Sequence, residues 1–397
     1  MVGSGPKYDI LIVGGSFAGL TAAHHLLKNV IPTLELAQRD YKITMLTNSS
    51  KFFHKISAPR SLTNPDMLKL DKTLLDIAPG FKQYGDSFQL VLGYAKSVDS
   101  FAGTVAYDGT EGNASGTLKY DSLIIATGAS FDEPLWGVSE GYDKLQAAYK
   151  EMHSGLLSAK TILIAGGGPA GVETAGEIAN RFPKSKDITF LSGSTRLLPK
   201  LHNSRAANSA QKKLEKMGVK VVHSVRAKSW SKNSDGTTTV QLDNGKTKTV
   251  DIFIPSTGNK INSSWVPSSW LTSEPKHAAI KTEPHTLRLD VPGVENVYVF
   301  GSAGSYSNGG IVDILMAYKA LGESFKVDQI KSTGDSVKQK TVYNKFDNGD
   351  FQMVPIGPRD GVVVIKGFNL PSFLCVMVKS KDFMTGKVSD LVEGRSV

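Results

Sequence analysis

The sequence predicts an α/β protein made of two similar halves and a small C-terminal domain. The first observation is a repeat, since "ILIVGGSFAGLTAAHHL" at 10–26 recurs as "ILIAGGGPAGVETAGEI" at 162–178. In each copy an apolar run meets a glycine turn and then apolar residues at helical spacing, which indicates a strand, a turn and a helix. The second observation is length, because 397 residues exceed what one compact core usually holds.

Composition excludes several classes of protein. The hydrophobic share of 40% and the charged share of 21% are those of a globular protein. The net charge of +9 is spread along the chain without a long basic run, so no nucleic acid partner is expected. No apolar run approaches the roughly 18 residues that span a bilayer. The chain begins almost directly with the strand "YDILIVGG", so we expect no cleavable signal and a cytoplasmic location.

The cysteine and histidine content argues against redox pairs and metal sites. The only cysteine, Cys375, excludes an internal disulfide, a CxxC pair and a cysteine-based metal site, and it fits a reducing compartment. The eight histidines show no ligand spacing. Because catalytic zinc usually takes three convergent protein ligands, no metal is expected.

The second copy of the repeat has the spacing of a dinucleotide-binding cradle. Gly166 makes a tight turn, Gly168 lets the backbone approach a pyrophosphate, and Gly171 lets helix and strand pack closely. The helix N-terminus then offers free N–H groups to the anion.

The first copy departs from this pattern at one position. It has Gly14, Ser16 and Gly19, so a hydroxymethyl group stands where the closest approach is wanted. Serine is small, and a modest shift of the ligand would accommodate it. We therefore expect a second cradle here.

A longer repeat surrounds the two cradles. A β meander is predicted after each one, at 101–121 in the first half and around the hairpin turn 243–245 in the second. Each half then ends in an apolar strand followed by Thr-Gly, at 127–128 and at 257–258. The duplication predicts two Rossmann-like nucleotide-binding domains for two dinucleotides.

The order of these motifs resembles that of the two-dinucleotide-binding flavoprotein oxidoreductases. "ATG" at 126–128, "STG" at 256–258 and "VYVFGSAG" at 297–304 follow the family's order. "GGSFAG", "GGGPAGVETAGEI" and the tail "LPSFLCVMVKSKDFMTGKV" look closest to the fungal apoptosis-inducing-factor-like proteins, relatives of ferroptosis suppressor protein, with type II NADH dehydrogenases as more distant kin. The resemblance implies FAD in the first domain, NAD(P)H in the second, and hydride passing through the flavin to a quinone-like acceptor.

The resemblance also implies the domain limits and the binding residues. The FAD domain would comprise 1–127 and 256–330, the inserted NAD(P)H domain 128–255, and a small α+β C-terminal domain 331–397. Residues matched to FAD contacts are Gly14, Gly15, Ser16, Phe17, Ala18, Gly19, Asn48, Arg60, Ala126, Thr127, Gly128, Gly301, Ser302 and Lys319. Residues matched to NAD(P)H contacts are Gly166, Gly168, Pro169, Ala170, Gly171, Ser192, Arg196, Thr257 and Gly258.

Two carboxylates of the family pattern are missing. The second strand ends in Thr47 and Asn48, where an acid normally holds the FAD ribose. The late motif reads Gly301-Ser302 where the family has Gly-Asp. Asn48 and Ser302 can still form hydrogen bonds, although without the strength of a charged acceptor. Weaker or altered FAD binding is therefore the alternative to ordinary binding.

The second strand of the second half bears on coenzyme choice. It ends in Ser192 rather than an acid, and Arg196 follows four residues on. A small polar residue with a nearby arginine favours NADPH over NADH, because the cation can receive the 2′-phosphate. The alternative is that Arg196 is an ordinary surface arginine.

Three residues are candidates for chemistry. Glu173, matched to a family glutamate near the flavin and nicotinamide, could orient the nicotinamide or relay a proton. The alternative is a glutamate at the helix start that is favoured only by the helix macrodipole. Lys55 could stabilise negative charge on the reduced flavin, and His54 could donate a proton. Glu177, one helical turn after Glu173, is expected to be structural, and Lys319 is either near the flavin or solvated.

The tail predicts a hairpin at 358–361 and then a helix. An apolar face is formed by Leu370, Phe373, Leu374, Met377 and Val378, and Lys379, Lys381 and Lys387 follow. Packing of this face over the flavin domain is the main expectation. A peripheral membrane contact or a homodimer contact is the alternative, and either would suit a lipid-soluble acceptor.

The function expected from the resemblance is that of an FAD-dependent NAD(P)H oxidoreductase with a small, quinone-like acceptor, acting as a monomer or homodimer. One alternative is a flavoenzyme repurposed in a biosynthetic pathway for one specific small molecule, without a need for nicotinamide. The other is a non-catalytic signalling flavoprotein, which the lack of basic clusters disfavours.

Overall fold

The computed structural model describes residues 7–34, 39–273, 278–344 and 351–397, and they form three parts built on separate sheets. The strands are β1 (Lys7–Val13), β2 (Asp40–Thr47), β3 (Lys51–Phe53), β4 (Leu74–Asp76), β5 (Phe88–Asp99), β6 (Thr104–Gly109), β7 (Gly116–Lys119), β8 (Ser122–Ile125), β9 (Ala129–Phe131), β10 (Thr161–Ala165), β11 (Asp187–Ser192), β12 (Val219–His223), β13 (Ala227–Lys232), β14 (Thr238–Leu242), β15 (Thr247–Val250), β16 (Ile252–Pro255), β17 (Asn259–Ile261), β18 (Val297–Val299), β19 (Phe351–Pro355), β20 (Gly361–Ile365) and β21 (Phe368–Leu370). The helices are α1 (Phe17–His25), α2 (Ala58–Thr63), α3 (Ile77–Phe81), α4 (Tyr142–Ser158), α5 (Pro169–Arg181), α6 (Ser204–Lys216), α7 (Ile311–Lys331), α8 (Ser372–Cys375) and α9 (Val388–Val392).

The first sheet has the strand order β18-β8-β1-β2-β5-β6-β7. The strands from β18 to β5 run parallel, and β6 and β7 add an antiparallel edge that confirms the predicted meander. Ile10, Leu11 and Ile12 in β1, the middle one of the five parallel strands, are fully buried, because both faces of a parallel sheet are covered.

Helices α1 and α7 pack against one another beside this sheet. All of α1 is buried, including its two histidines. The ring nitrogens of His24 lie 2.8 Å from the Tyr84 hydroxyl and 2.9 Å from the Val392 carbonyl oxygen, so the helix also contacts α9 near the C-terminus. The predicted helix over 311–330 is confirmed as α7.

The second sheet is parallel, in the order β12-β11-β10-β16, and lies beside the antiparallel sheet β13-β14-β15. The predicted turn at 243–245 joins β14 to β15, with φ of +80° at Gly245. The chain leaves the first sheet after β8 and re-enters it at β18. Two α/β sheets of Rossmann type, the second formed between two segments of the first, are thus confirmed as the fold class.

The third part is the antiparallel sheet β19-β20-β21 with α8 and α9. The predicted hairpin at 358–361 joins β19 to β20. This sheet packs closely on α5, since a Cβ added at Gly176 would lie 2.9 Å from the Cα atom of Ile356. The glycine therefore permits the contact between the second and third parts.

The apolar face predicted in the tail does not pack as expected. Phe373, Met377 and Val378 are exposed, so the expectation of packing over the flavin domain is wrong for them. A π-helical turn over Val376–Ser380 replaces the α-helical period in the second half of this face. Cys375 and Ser380, five residues apart, are buried instead. Within the described ranges, no helix has both the length and the hydropathy needed to cross a membrane.

A buried ion pair connects the three parts. Arg60 on α2 donates two hydrogen bonds to Glu177 on α5, at 2.9 and 2.8 Å, and the side chains are 1% and 0% exposed. The same guanidinium donates to the carbonyl oxygens of Ser380 and Lys381, both at 2.7 Å. The expectation that Glu177 is structural is confirmed.

We expect the substitution Arg60→Met to destabilise the protein strongly, because the Glu177 charge would stay buried without its partner. Loss of one partner of a buried pair costs about 3–5 kcal/mol. The double variant R60M/E177M should lose less stability than R60M, since it leaves no unpaired charge. Urea unfolding of the two variants and the parent measures this difference, and a double variant less stable than R60M would contradict it.

Candidate functional site

A cavity of about 420 Å³ lies where the three parts meet. The first cradle, the end of β8, the start of α5 and the π-helical turn of the tail all contribute to its wall. Predicted site residues in the wall are Gly14, Gly15, Ser16, Phe17, Ala18, Asn48, Lys55, Ala126, Thr127, Gly128, Pro169, Ala170, Glu173 and Ser302. The sequence thus located the part of this cavity that surrounds its glycine motifs.

The first cradle has the geometry that its glycines predict. Gly14 has φ of +117°, and a Cβ added there would lie 2.4 Å from the Ala126 carbonyl oxygen. A Cβ at Gly19 would lie 1.7 Å from the Gly14 carbonyl oxygen, so helix and turn touch through the glycine. Ser16 precedes α1 and its side chain does not cap the helix. The N-terminus of α1 therefore faces the cavity as an anion site.

The glycines of the second cradle have different roles. Gly166 has φ of +126°, and a Cβ added at Gly171 would lie 2.0 Å from the Gly166 carbonyl oxygen. At Gly168 an added Cβ would meet no atom within 4 Å. Gly166 and Gly171 therefore serve the fold, whereas Gly168 borders open space of the kind a pyrophosphate requires. Thr257 lies against this turn, 2.8 Å from the Cβ position of Gly166, and Gly258 follows it with φ of +85°.

The missing ribose carboxylate is replaced by contacts within the protein. The Asn48 side chain donates a hydrogen bond to the Val138 carbonyl oxygen at 2.8 Å, and the hydroxyl of Thr47 lies 2.6 Å from the Cβ position of Gly15. Ser302 lines the cavity next to Gly301, which has φ of +85° and allows the turn to approach Ala18. The residues present fit a dinucleotide cradle that relies on backbone groups and neutral side chains.

Glu173 is joined to a lysine that the sequence did not identify as part of the site. Its carboxylate lies 2.7 Å from the Nζ atom of Lys379, and both residues line the cavity. Burial raises the pKa of Glu173, and the charge of Lys379 acts in the opposite direction. Lys379 also donates to the Met353 carbonyl oxygen at 3.2 Å. The two partners are 206 residues apart, so no local pattern could reveal the pair.

Lys55 and His54 differ in their relation to the cavity. Lys55 lines the cavity and reaches solvent through it, and the partial loss of water around its ammonium group, caused by the surrounding protein, lowers its pKa. His54 is buried behind the wall, with Nδ1 3.1 Å from the Ser57 hydroxyl, and burial lowers its pKa to about 4. His54 is not part of the cavity wall, and its predicted role as a proton donor stays a prediction.

Two residues assigned to FAD lie elsewhere. The buried Arg60 guanidinium donates to Glu177, Ser380 and Lys381 and is not in the cavity wall, so its predicted contact with FAD is corrected to a structural role. Lys319 is exposed on α7, with its Nζ 5.9 Å from the ring centroid of Tyr318, and it is not in the cavity wall. It is therefore the solvated lysine of the alternative interpretation.

The residues expected to select the coenzyme are engaged with the backbone. The Ser192 hydroxyl donates to the Arg196 carbonyl oxygen at 2.8 Å. The Arg196 guanidinium donates to the carbonyl oxygens of Leu201 and Pro199, at 2.6 and 3.2 Å. Arg196 thus holds its own loop, and its predicted contact with a 2′-phosphate stays a prediction. In the part of the chain that the structure describes, no group of three His, Cys, Asp or Glu side chains is arranged to hold a metal.

The family follows from comparison with known proteins. The family model for pyridine nucleotide-disulphide oxidoreductases matches residues 8–318. The chain belongs to this family. It is 32% identical to oxidoreductase phnG of Penicillium herquei, with 98% of this chain and 97% of the relative covered. It is 27% identical to ferroptosis suppressor protein 1 of Homo sapiens, with 94% and 92% covered.

A solved structure supports the same fold at lower identity. Plasmodium falciparum NDH2 in complex with NADH superposes with a TM-score of 0.67 at 14% identity, covering 97% of both chains. The resemblance stated from the sequence motifs is confirmed. Family membership makes the protein a flavin-dependent oxidoreductase.

The two glycines of the second cradle should respond differently to alanine. Gly171→Ala should destabilise the protein by about 1–3 kcal/mol, because the new methyl group overlaps the Gly166 carbonyl oxygen. Gly168→Ala should leave thermal stability unchanged and weaken NAD(P)H binding about tenfold, or ~1.4 kcal/mol. Thermal unfolding and calorimetric titration measure both effects. Equal stability losses in the two variants would contradict the assignment.

Proposed function

We propose that the protein is an FAD-dependent NAD(P)H oxidoreductase that reduces a quinone-like small molecule. The observation that carries this proposal is the Glu173–Lys379 ion pair in a cavity bounded by the first cradle and by the start of the helix after the second. The cavity wall also contains the apolar side chains Phe17, Phe52, Phe53, Ile56, Phe131, Trp136, Ile311 and Ile314. Such a wall suits a planar apolar acceptor held by a few polar groups.

FAD would be held by the first cradle, residues 126–128 and Ser302, and NAD(P)H by the second cradle. When bound, FAD supplies the two-electron transfer from NAD(P)H to the acceptor. The overall reaction converts NAD(P)H, one proton and a quinone into NAD(P)⁺ and a quinol. The protein must therefore deliver a proton as well as align the two substrates.

We assign the delivery of this proton to Glu173. Its raised pKa allows the carboxyl group to hold a proton closer to neutral pH than an exposed glutamate would. Lys379 limits that rise and fixes the carboxylate at 2.7 Å, so the group faces the cavity in one position. Lys55 supplies a further positive charge on the wall, which would stabilise negative charge as it develops during reduction.

The exposed apolar residues of the tail support a lipid-soluble acceptor. Met377 and Val378 directly precede Lys379, so these exposed apolar residues are next in sequence to a residue of the cavity wall. Exposed apolar patches with basic neighbours are typical of protein or membrane contacts. We include peripheral membrane contact through Phe373, Met377 and Val378 in the proposal.

A second candidate function is favoured by the replaced carboxylates. Asn48 bonds to Val138, and Ser302 stands where the family has an acid, so the flavin site differs from the family pattern. Similarity to a fungal oxidoreductase over nearly the whole chain accords with an enzyme dedicated to one small molecule. Such an enzyme would share the cavity but would have no need of nicotinamide.

An anaerobic absorption spectrum separates the two candidates. We expect the purified protein to carry a flavin band that bleaches on addition of NADPH or NADH and returns on addition of a short-chain benzoquinone. A yellow protein that neither coenzyme bleaches would support the second candidate. A colourless protein that cannot be loaded with FAD would contradict both.

The Glu173–Lys379 pair should control the pH dependence of acceptor reduction. Glu173→Gln should keep its flavin and lose at least about 100-fold in quinone reduction, which is the usual size of a general-acid contribution. Lys379→Met should move the alkaline limb of the pH profile to higher pH, because loss of the cation raises the pKa of Glu173.

Lys381→Met is the matched control, since Lys381 is an exposed lysine two residues further on. Its pH profile should equal that of the parent. A K379M profile that keeps its alkaline limb in place would show that Glu173 does not carry the proton.

A further inference from the structure

An arginine from a neighbouring segment covers the end of β11, where a Rossmann-like domain meets the adenosine ribose. A Cβ added at Gly193 would lie 2.7 Å from Cγ and 2.8 Å from Nε of Arg226. The arginine side chain thus passes directly over the glycine. Any larger residue at 193 would displace it.

Main-chain hydrogen bonds fix this arrangement. The Val225 N–H donates to the Ser192 carbonyl oxygen at 3.2 Å, and the Ser224 N–H donates to the Ser194 carbonyl oxygen at 3.0 Å. The segment that carries Arg226 is therefore joined to the loop after β11. Ser192 also contacts the second cradle, since its hydroxyl lies 2.5 Å from the Cβ position of Gly167.

The charge of Arg226 remains available to a ligand. Its side chain is 70% exposed, and its ion pair with Asp243 is long, at 3.8 Å. Arg196, by contrast, is bonded to two carbonyl oxygens. The loop reads Ser192-Gly193-Ser194, so it has no carboxylate to repel a phosphate.

We infer that Arg226 is the residue that binds the 2′-phosphate of NADPH and sets the coenzyme preference of the enzyme. A guanidinium group can bind phosphate through two parallel hydrogen bonds, which lysine cannot do. Asp243 opposes this interaction, because it competes for the same cation. The inference rests on the proposed use of NAD(P)H, and it names the group that distinguishes the two coenzymes.

Binding of two nucleotide probes to the purified holoenzyme tests the inference by calorimetry. Adenosine 2′,5′-bisphosphate should bind at least about tenfold more tightly than 5′-AMP, a difference of ~1.4 kcal/mol. Arg226→Ala should leave AMP binding unchanged and bring the two affinities within about twofold of each other, a difference of less than ~0.5 kcal/mol. In parallel experiments that follow bleaching of the flavin, Arg226→Ala should lose the preference for NADPH over NADH to the same extent.

Three further variants serve as controls. Arg196→Ala should leave the ratio of the two affinities unchanged. Gly193→Ala should lower it by pushing Arg226 aside, and Asp243→Asn should raise it by releasing the guanidinium. A parent protein that binds both probes equally, or an R226A variant that keeps the preference for the bisphosphate, would overturn the inference. Failure of both coenzymes to bleach the flavin would instead count against the proposed function, because probe binding does not depend on turnover.

Discussion

The inner face of α5 carries two buried carboxylates, Glu173 and Glu177, and their charge is the constraint on which the site depends. They lie four residues apart on one helix, a spacing at which like charges repel. Buried carboxylates of this kind need a cation each, because isolated buried charge is strongly unfavourable. Arg60 from α2 and Lys379 from the tail supply these cations.

The two ion pairs are also coupled through the backbone of the tail. Arg60 binds the carbonyl oxygens of Ser380 and Lys381, which immediately follow Lys379. The residue that neutralises Glu177 therefore also positions the residue that neutralises Glu173. The proton-carrying group of the proposed reaction is in this way held by the same contacts that join the three parts of the fold.

The sequence predicted what depends on local backbone geometry. The positive φ of Gly14 and Gly166 and the hairpin turn at Gly245 follow from the conformational freedom of glycine, so their motifs were sufficient. The fold class followed from the repetition of those motifs. The π-helical turn over Val376–Ser380 was missed, because an apolar pattern with α-helical spacing does not reveal a local change of period.

The side-chain partners could not be predicted, because they join distant parts of the chain. Glu173 and Lys379 are 206 residues apart, and Arg60 and Glu177 are 117 residues apart. The role of Arg196 is undetermined by the sequence for a different reason. A serine and an arginine at the expected spacing do not specify whether the guanidinium points to a ligand or to the carbonyl groups of its own loop.

The single cysteine limits how electrons can leave the enzyme. Cys375 is buried against Gly361, and burial raises the pKa of its thiol, so the reactive thiolate is disfavoured. A lone cysteine also cannot form the internal disulfide after which the family is named. Under the proposed function, the acceptor must therefore enter the cavity itself and take its proton there. The proposed reaction therefore depends on Glu173, whose carboxyl group has a raised pKa and is fixed by Lys379 at the cavity wall.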